Sequence, residues 1–222
     1  MPLLLDDPKG TLHLNVPHIF GHAILLPLLP KFRRIFPQID LNIDFDDHVI
    51  DIIKEGVDIS IRSGELTDSR LIGYNIGDQH FIACGSPYYF DTYGIPKVPS
   101  DLLTHSCIHF KYPSNGRIAY WAFKAPYVNL DLPNGITFNN SYAGLRAAID
   151  GLGIAHLPVY IARDAIQSGL IKPILEEYMQ PQGSLSLLWP SNRHLSPKIR
   201  SFVDFITEEL RTSRQLSQLN SR

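Results

Sequence analysis

Along this chain apolar and polar residues change period in short blocks, and each change marks a predicted element. Leu12, Leu14 and Val16 share one face of 11–16, the two-residue period of a strand entered from the turn at Pro8, Lys9 and Gly10. A helical stripe follows through Phe20, Ile24, Leu25, Leu28, Phe32 and Ile35. Pro27 and Pro30 each remove a backbone donor, so this helix is expected to be kinked or in two pieces, ending at Phe36-Pro37. Ile39, Leu41, Ile43 and Phe45 then alternate with Asp40, Asn42 and Asp44 as a half-buried strand. Next, Asp47 as N-cap, Val49, Ile50 and Ile53 on one face, and Gly56 as a left-handed stop predict a helix, with a buried strand over 57–61. Strand, helix and strand without a hairpin-length turn predict parallel pairing. Ligands bind beyond the carboxyl ends of such strands, where Asp46, Asp47, Arg62, Ser63 and Gly64 lie.

Two short strands are predicted near 71–76 and 79–84, after which Ser86 offers an N-cap and Pro87 a first helical residue. Between Cys107 and Asn140 the pattern predicts several short strands, one carrying Trp121 and Phe123, another setting Tyr127, Asn129 and Asp131 opposite Val128, Leu130 and Leu132. A helix from Ser141 has Leu145, Ala148 and Ile149 as its face and Gly151 and Gly153 at its close, before a buried strand over 154–157 ended by Pro158. A second crossing of the chain is read at 184–189. The last helix, from Ser196-Pro197, places Ile199, Phe202, Val203, Ile206 and Leu210 on one face and is expected to pack back on the first domain. The expected fold class is α/β, with two α/β lobes joined by two crossover strands. Lobe I takes 10–84 and 187–212, lobe II takes 85–186, and 213–222 is a disordered tail.

Composition narrows the function classes. Hydrophobic residues make up 44% of the 222, enough for a packed core, while the net charge of -2 lacks the basic excess that a DNA backbone requires. Two cysteines suit a reducing compartment, and the cytoplasm is the expected location. The leucine run at 3–5 is followed at once by Asp6, Asp7 and Lys9, which does not make a signal peptide, and no run reaches membrane-spanning length.

Candidate chemistry is sparse. His18 and His22 stand four apart at a helix start, but no third ligand accompanies them, so no metal is expected; His18 reads as a pocket wall and His22 as surface. Asp46 and Asp47 could form an acid and base pair or a cap with a solvated neighbour, and capping is favoured for Asp47. Arg62 has two equal readings, a clamp for a carboxylate or an ion pair with Glu65 or Asp68. Gly151-Leu-Gly153 precedes a strand instead of following one, which excludes a dinucleotide fingerprint. Cys107 and His109 share a strand face without an activating base, so Cys107 reads as a buried thiol. Lacking a nucleophile elbow or phosphate loop, the chain is not expected to be an enzyme or to hold a cofactor.

Five segments together resemble the effector-binding domain of the LysR-type transcriptional regulators. They are GTLHLNVPHIFGHAILLPLLPKFRRIFPQIDL, VIDIIKEGVDISIRSGELTDSRLIG, ACGSPYYFDTYGIPKVPSDLLTHSCI, AAIDGLGIAHLP and RHLSPKIRSFVDFITEEL. The resemblance implies a type 2 periplasmic-binding-protein fold with a small-molecule effector in an interlobe cleft, and 1–9 as a remnant of a linker. It also implies a cytoplasmic homodimer, tetrameric in some full-length forms, with no membrane partner. DNA would be bound only through a missing N-terminal winged helix-turn-helix. Carried over position by position, the effector site comprises Pro17, His18, Ile19, Phe20, Asp46, Asp47, Arg62, Ser63 and Gly64, with Phe110, Asn140, Ser141 and Leu157 from the second lobe. Helix starts near Phe20 and Ser141 favour a carboxylate-bearing effector. Asp46 departs from the family, which usually keeps a small hydroxyl residue there, and two adjacent carboxylates would favour a cationic group instead. The alternatives are a solute-binding protein of a transport system, which shares the fold, and an enzyme acting on a small molecule.

Overall fold

The structure is a computed structural model that describes residues 8–64, 68–133, 135–191 and 196–212. Residues 1–7 of the expected linker remnant, Glu65 and the expected tail at 213–222 lie outside the described residues. In chain order the strands are β1 (Gly10–Val16), β2 (Ile39–Phe45), β3 (Ile59–Ser63), β4 (Leu71–Asp78), β5 (Phe81–Gly85), β6 (Cys107–Phe110), β7 (Ile136–Phe138), β8 (Ile154–Pro158), β9 (Lys172–Ile174) and β10 (Ser184–Pro190). The helices are α1 (His18–Phe20), α2 (Leu26–Ile35), α3 (Pro87–Tyr93), α4 (Ser141–Ile149), α5 (Val159–Gln167) and α6 (Pro197–Thr212).

These elements form two compact units, one from Met1–Asp78 with Gly183–Arg222 and one from Gln79–Gln182. The divisions fall before Gln79 and after Gln182, each a few residues earlier than the 85 and 186 read from sequence, because β5 already pairs with β8 and β9 while β10 pairs with β3 and β4.

The first unit is built on a sheet in the order β2-β1-β3-β10-β4. β1 lies between β2 and β3 and is parallel to both, while β10 runs antiparallel to β3 and β4. Leu12, Leu14 and Val16 are at most 1% exposed, as their alternation predicts. The proline-bearing helix is indeed in pieces. A π-helical turn over Gly21–Leu25 joins α1 to α2, with Pro27 in the first turn of α2 and Pro30 inside it. The Phe32 ring meets Phe202 and Phe205 edge-on at 5.4 and 5.2 Å, which packs α2 against α6.

One predicted helix does not form. Residues 47–57 hold a single turn instead, in which Asp51 Oδ1 accepts from Ile53 and Lys54, Glu55 N–H donates to the Asp51 carbonyl, and Gly56 takes a φ of 70°. Val49, Ile50, Ile52 and Ile53 are all β-branched and crowd the preceding turn of any helix. Burying Ile52 against Val57 and Leu188 leaves Val49 77% exposed, so the expected apolar face is turned away.

The second unit repeats the plan with the order β7-β6-β8-β5-β9. β6 is parallel to β7 and β8, and β5 is antiparallel to β8 and β9. Ser86 accepts from Tyr89 N–H at 3.2 Å and starts α3 as predicted. Three expectations change. Trp121, Ala122 and Phe123 are all buried and form no strand, held by an isolated bridge from Phe123 to Met179; 127–132 is likewise not a strand. α4 buries Gly144, Ala147 and Ala148, leaving Leu145 and Ile149 half-buried. α5 begins directly after Pro158, whose fixed φ suits a helix entry as well as a strand end. Gly153 is required by close approach rather than by the helix stop, since a Cβ there would lie 2.5 Å from the Ser106 carbonyl oxygen. His156 is sandwiched between the rings of Phe81 and Trp121, at 4.7 and 5.4 Å, and its Nε2 accepts from Ala122 N–H. Each unit holds one tryptophan, Trp121 or Trp189, each 5% exposed.

Candidate functional site

In both units the candidate residues gather at the carboxyl ends of the parallel strands. Pairing of Val16 with Phe45 and of Asn15 with Ser60 puts Pro17, Asp46 and Arg62 at one end of the first sheet. Pairing of Phe110 with Phe138, and of Cys107 with Ile154, brings Phe110, Asn140 and Leu157 to the same end of the second. Such ends are where open α/β sheets leave room for ligands.

In the first unit, β1 ends at Val16 and Pro17 sets the extended entry to α1. His18 N–H, one of the free donors of that helix start, donates to Asp47 Oδ1 at 3.0 Å. Asp47 is therefore a cap, but of the preceding helix and from another strand's end. The rings of His18 and His22 lie 6.1 and 5.0 Å from that of Phe45. A Cβ on Gly21 would fall 2.2 Å from Phe45 Cε1, so this turn needs glycine to sit on the ring. Ile19 is half-buried and Phe20 fully buried, which makes Phe20 a core residue rather than a ligand wall.

Asp46 N–H donates to the Val16 carbonyl, and Asp46 Oδ1 accepts from His48 N–H at 2.9 Å and lies 2.7 Å from His48 Nδ1. The His48 backbone N–H, then its ring and the charge of Arg62, hold this carboxyl below its ordinary range despite the opposing effect of partial burial. Both acidic side chains are thus already engaged, one by a helix start and one by His48. Sequence reasoning did not single out His48; the Asp-x-His spacing was the available signal.

Arg62 extends from β3, and its Nη1 donates to the Asp46 carbonyl at 3.3 Å. Its Nη2 is buried without a hydrogen-bond partner among the described residues. Burial lowers the Arg62 pKa from its ordinary value, opposed by Asp46 and Asp47, yet guanidinium keeps its proton. Of the two acids proposed to pair with it, Asp68 is instead held by Arg70 at 2.7 Å, and Glu65 lies outside the described residues. Ser63 and Gly64 are exposed, with Gly64 N–H donating to the Ser184 carbonyl.

In the second unit, Asn140 caps α4 by accepting from Ala143 N–H at 3.1 Å, and Ser141 opens the helix at 8% exposure. Phe110 is half-buried with its ring on Tyr112, whereas Leu157 is 3% exposed beneath α4. Cys84 and Cys107 are buried thiols, each pushed up to about 12 by burial, which removes thiolate chemistry at neutral pH. Among the described residues no three His, Cys, Asp or Glu side chains converge as a metal site, and no helix is long and apolar enough to cross a membrane.

Comparison with known proteins places this geometry. The sequence model of the LysR substrate binding domain matches residues 5–211. A curated relative, the uncharacterized HTH-type transcriptional regulator YcaN of Escherichia coli, is 29% identical over 200 residues, covering 90% of this chain and 66% of its own length. An uncharacterized HTH-type transcriptional regulator of Haemophilus influenzae is 32% identical over 196 residues, covering 88% and 68%. This chain thus spans about two thirds of such relatives. Among solved structures, the regulatory domain of CrgA from Neisseria meningitidis matches 91% of this chain and all of its own, with a TM-score of 0.82 and 28% identity. The effector domain of AmpR from Pseudomonas aeruginosa, at 22% identity and a TM-score of 0.78, shares the fold. The two α/β units are therefore of the type 2 periplasmic-binding-protein kind, and the chain belongs to the LysR substrate binding domain family.

Proposed function

We propose that this chain is the ligand-sensing part of a cytoplasmic LysR-type transcriptional regulator and that the small-molecule effector presents a carboxylate or carbonyl oxygen to Arg62. The supporting observation is the buried Arg62 Nη2 without a partner among the described residues, at the strand end where Asp46 and Asp47 are already occupied by other donors. A buried guanidinium N–H left unpaired is costly, and an acceptor on the ligand removes that cost. In this reading Pro17, His18, Ser63 and Gly64 surround the group held by Arg62. The effector acts by binding one conformation better than another, which shifts how a homodimer presents DNA-binding domains carried elsewhere in the full-length protein. The names of the relatives, transcriptional regulators throughout, favour this reading over a solute-binding protein of a transport system.

Thermal unfolding of the chain against a panel of small carboxylates and their matched primary amides tests the proposal. Stabilising carboxylates are expected, with binding weakened about tenfold or more by Arg62→Gln. A hit that binds Arg62→Gln as tightly as the parent chain would remove Arg62 from the site.

A further inference from the structure

The second unit contains a cavity that none of the candidate effector residues lines. Its volume is 480 Å³, within the roughly 300–1,000 Å³ of small-molecule sites. One wall comes from residues 117–121 and another from 130–132, and backbone bonds hold both segments in place. The first is a hairpin arm off β6. Lys111 and Ile118 form an antiparallel bridge, Tyr112 N–H donates to the Arg117 carbonyl at 2.9 Å, and Ala119 N–H donates to the Phe110 carbonyl at 2.8 Å. The second wall follows a turn in which Asn129 takes a φ of 57° and Leu130 N–H donates to the Tyr127 carbonyl. His109, on β6, clips this loop to the sheet: its Nε2 lies 2.9 Å from the Pro133 carbonyl oxygen, which can only accept.

The open walls carry the chemistry. Arg117 is exposed on the first and Asp131 on the second. Neither side chain has a hydrogen bond or an ion pair among the described residues, so the cavity holds a guanidinium and a carboxylate that do not neutralise each other. Most of the remaining lining is apolar or aromatic, with Ile118 and Tyr120 exposed and Leu130 and Leu132 half-buried. A dianion or a dication would meet repulsion at one wall. A molecule with one charge of each sign and an apolar body satisfies both walls and covers the apolar surface.

We propose that this cavity is a second small-molecule site, taking an α-amino acid with an apolar or aromatic side chain. The carboxylate pairs with Arg117, the ammonium with Asp131, and the side chain lies against Ile118, Tyr120 and Leu130. The site lies wholly in the second unit and does not involve Arg62.

L-phenylalanine is the probe, with 3-phenylpropionate lacking its ammonium and 2-phenylethylamine lacking its carboxylate. In the full chain carrying Trp189→Phe, Trp121 is the remaining tryptophan and lines the cavity, so its emission follows the titrations. L-phenylalanine is expected to bind about fivefold tighter than either analogue, the upper size of one exposed charge contact. Arg117→Gln should erase the advantage over 2-phenylethylamine, and Asp131→Asn the advantage over 3-phenylpropionate. Arg62→Gln should leave all three titrations unchanged, which separates this site from carboxylate binding in the first unit. Equal affinities for the three compounds, a Trp121 emission that does not respond, an order of affinities that survives both charge variants, or binding lost in Arg62→Gln would overturn the proposal.

Discussion

His156 shows how much one buried side chain can control. Burial alone lowers its pKa from 6.5 to about 3, while its Nε2 accepts from Ala122 N–H between two stacked rings. The folded ring therefore resists a proton that the unfolded chain takes up below about pH 6.5. Between those values the unfolded state binds more protons, so stability is lost as pH falls, by up to about 1.4 kcal/mol per pH unit from this group. Urea midpoints at pH 7, 6 and 5 should fall steadily in the parent chain. His156→Gln keeps an acceptor for Ala122 and should flatten that fall; an unchanged slope would assign it to other groups. The same scale shows where sequence reading stops. The pattern placed Asp46, Asp47 and Arg62 together at strand ends, because alternation fixes where each strand finishes. It could not show that Asp47 reaches back 29 positions to His18, since that bond depends on β1 and β2 lying side by side.

At the scale of elements, α6 is attached by more than its apolar face. Lys198, in its first turn, pairs with Asp58 at 2.7 Å and also donates to the Thr11 carbonyl, while Asp58 accepts from His13 N–H. Asp58 is 4% exposed at its side chain and Lys198 24%, so removing the lysine takes the countercharge from a nearly buried carboxylate. Lys198→Met should cost about 3 kcal/mol in urea unfolding, and Asp58→Asn added to it should recover most of the loss. If the two single variants instead add independently, the pair is not coupled. α6 itself was legible because five apolar positions recur at helical spacing over a long stretch. The short element at 47–57 was not: its caps and stop looked right, but β-branched crowding and the burial of Ile52 decided the outcome. α5 was missed for the opposite reason, as Pro158 serves both the end of β8 and the helix start.

The whole molecule uses one sheet plan twice. In each unit three parallel strands are followed by an antiparallel fourth, and that fourth strand, β10 or β5, is the one the chain lays down just after crossing between units. The return of a long amphipathic helix at the chain's end made the discontinuous first unit readable from sequence. The crossing points were less so, since β4 and β5 look alike in pattern although they join different sheets. All five strands of the second sheet lie within Gln79–Gln182, whereas the first sheet needs β10 between β3 and β4. A fragment of 79–182 should therefore unfold cooperatively in urea, and a fragment of 1–78 should show no transition. A 79–182 fragment lacking a cooperative transition would mean that its core requires the other unit.

The placement of Trp121 and Trp189, one in each unit, makes the chain its own two-channel reporter. Replacing either with phenylalanine leaves a single tryptophan, excited beyond the absorption of the ten tyrosines, that senses one half of the protein without a foreign dye. Quenching confined to the Trp121 emission separates an event in the second unit from one at the strand end that carries Arg62 in the first.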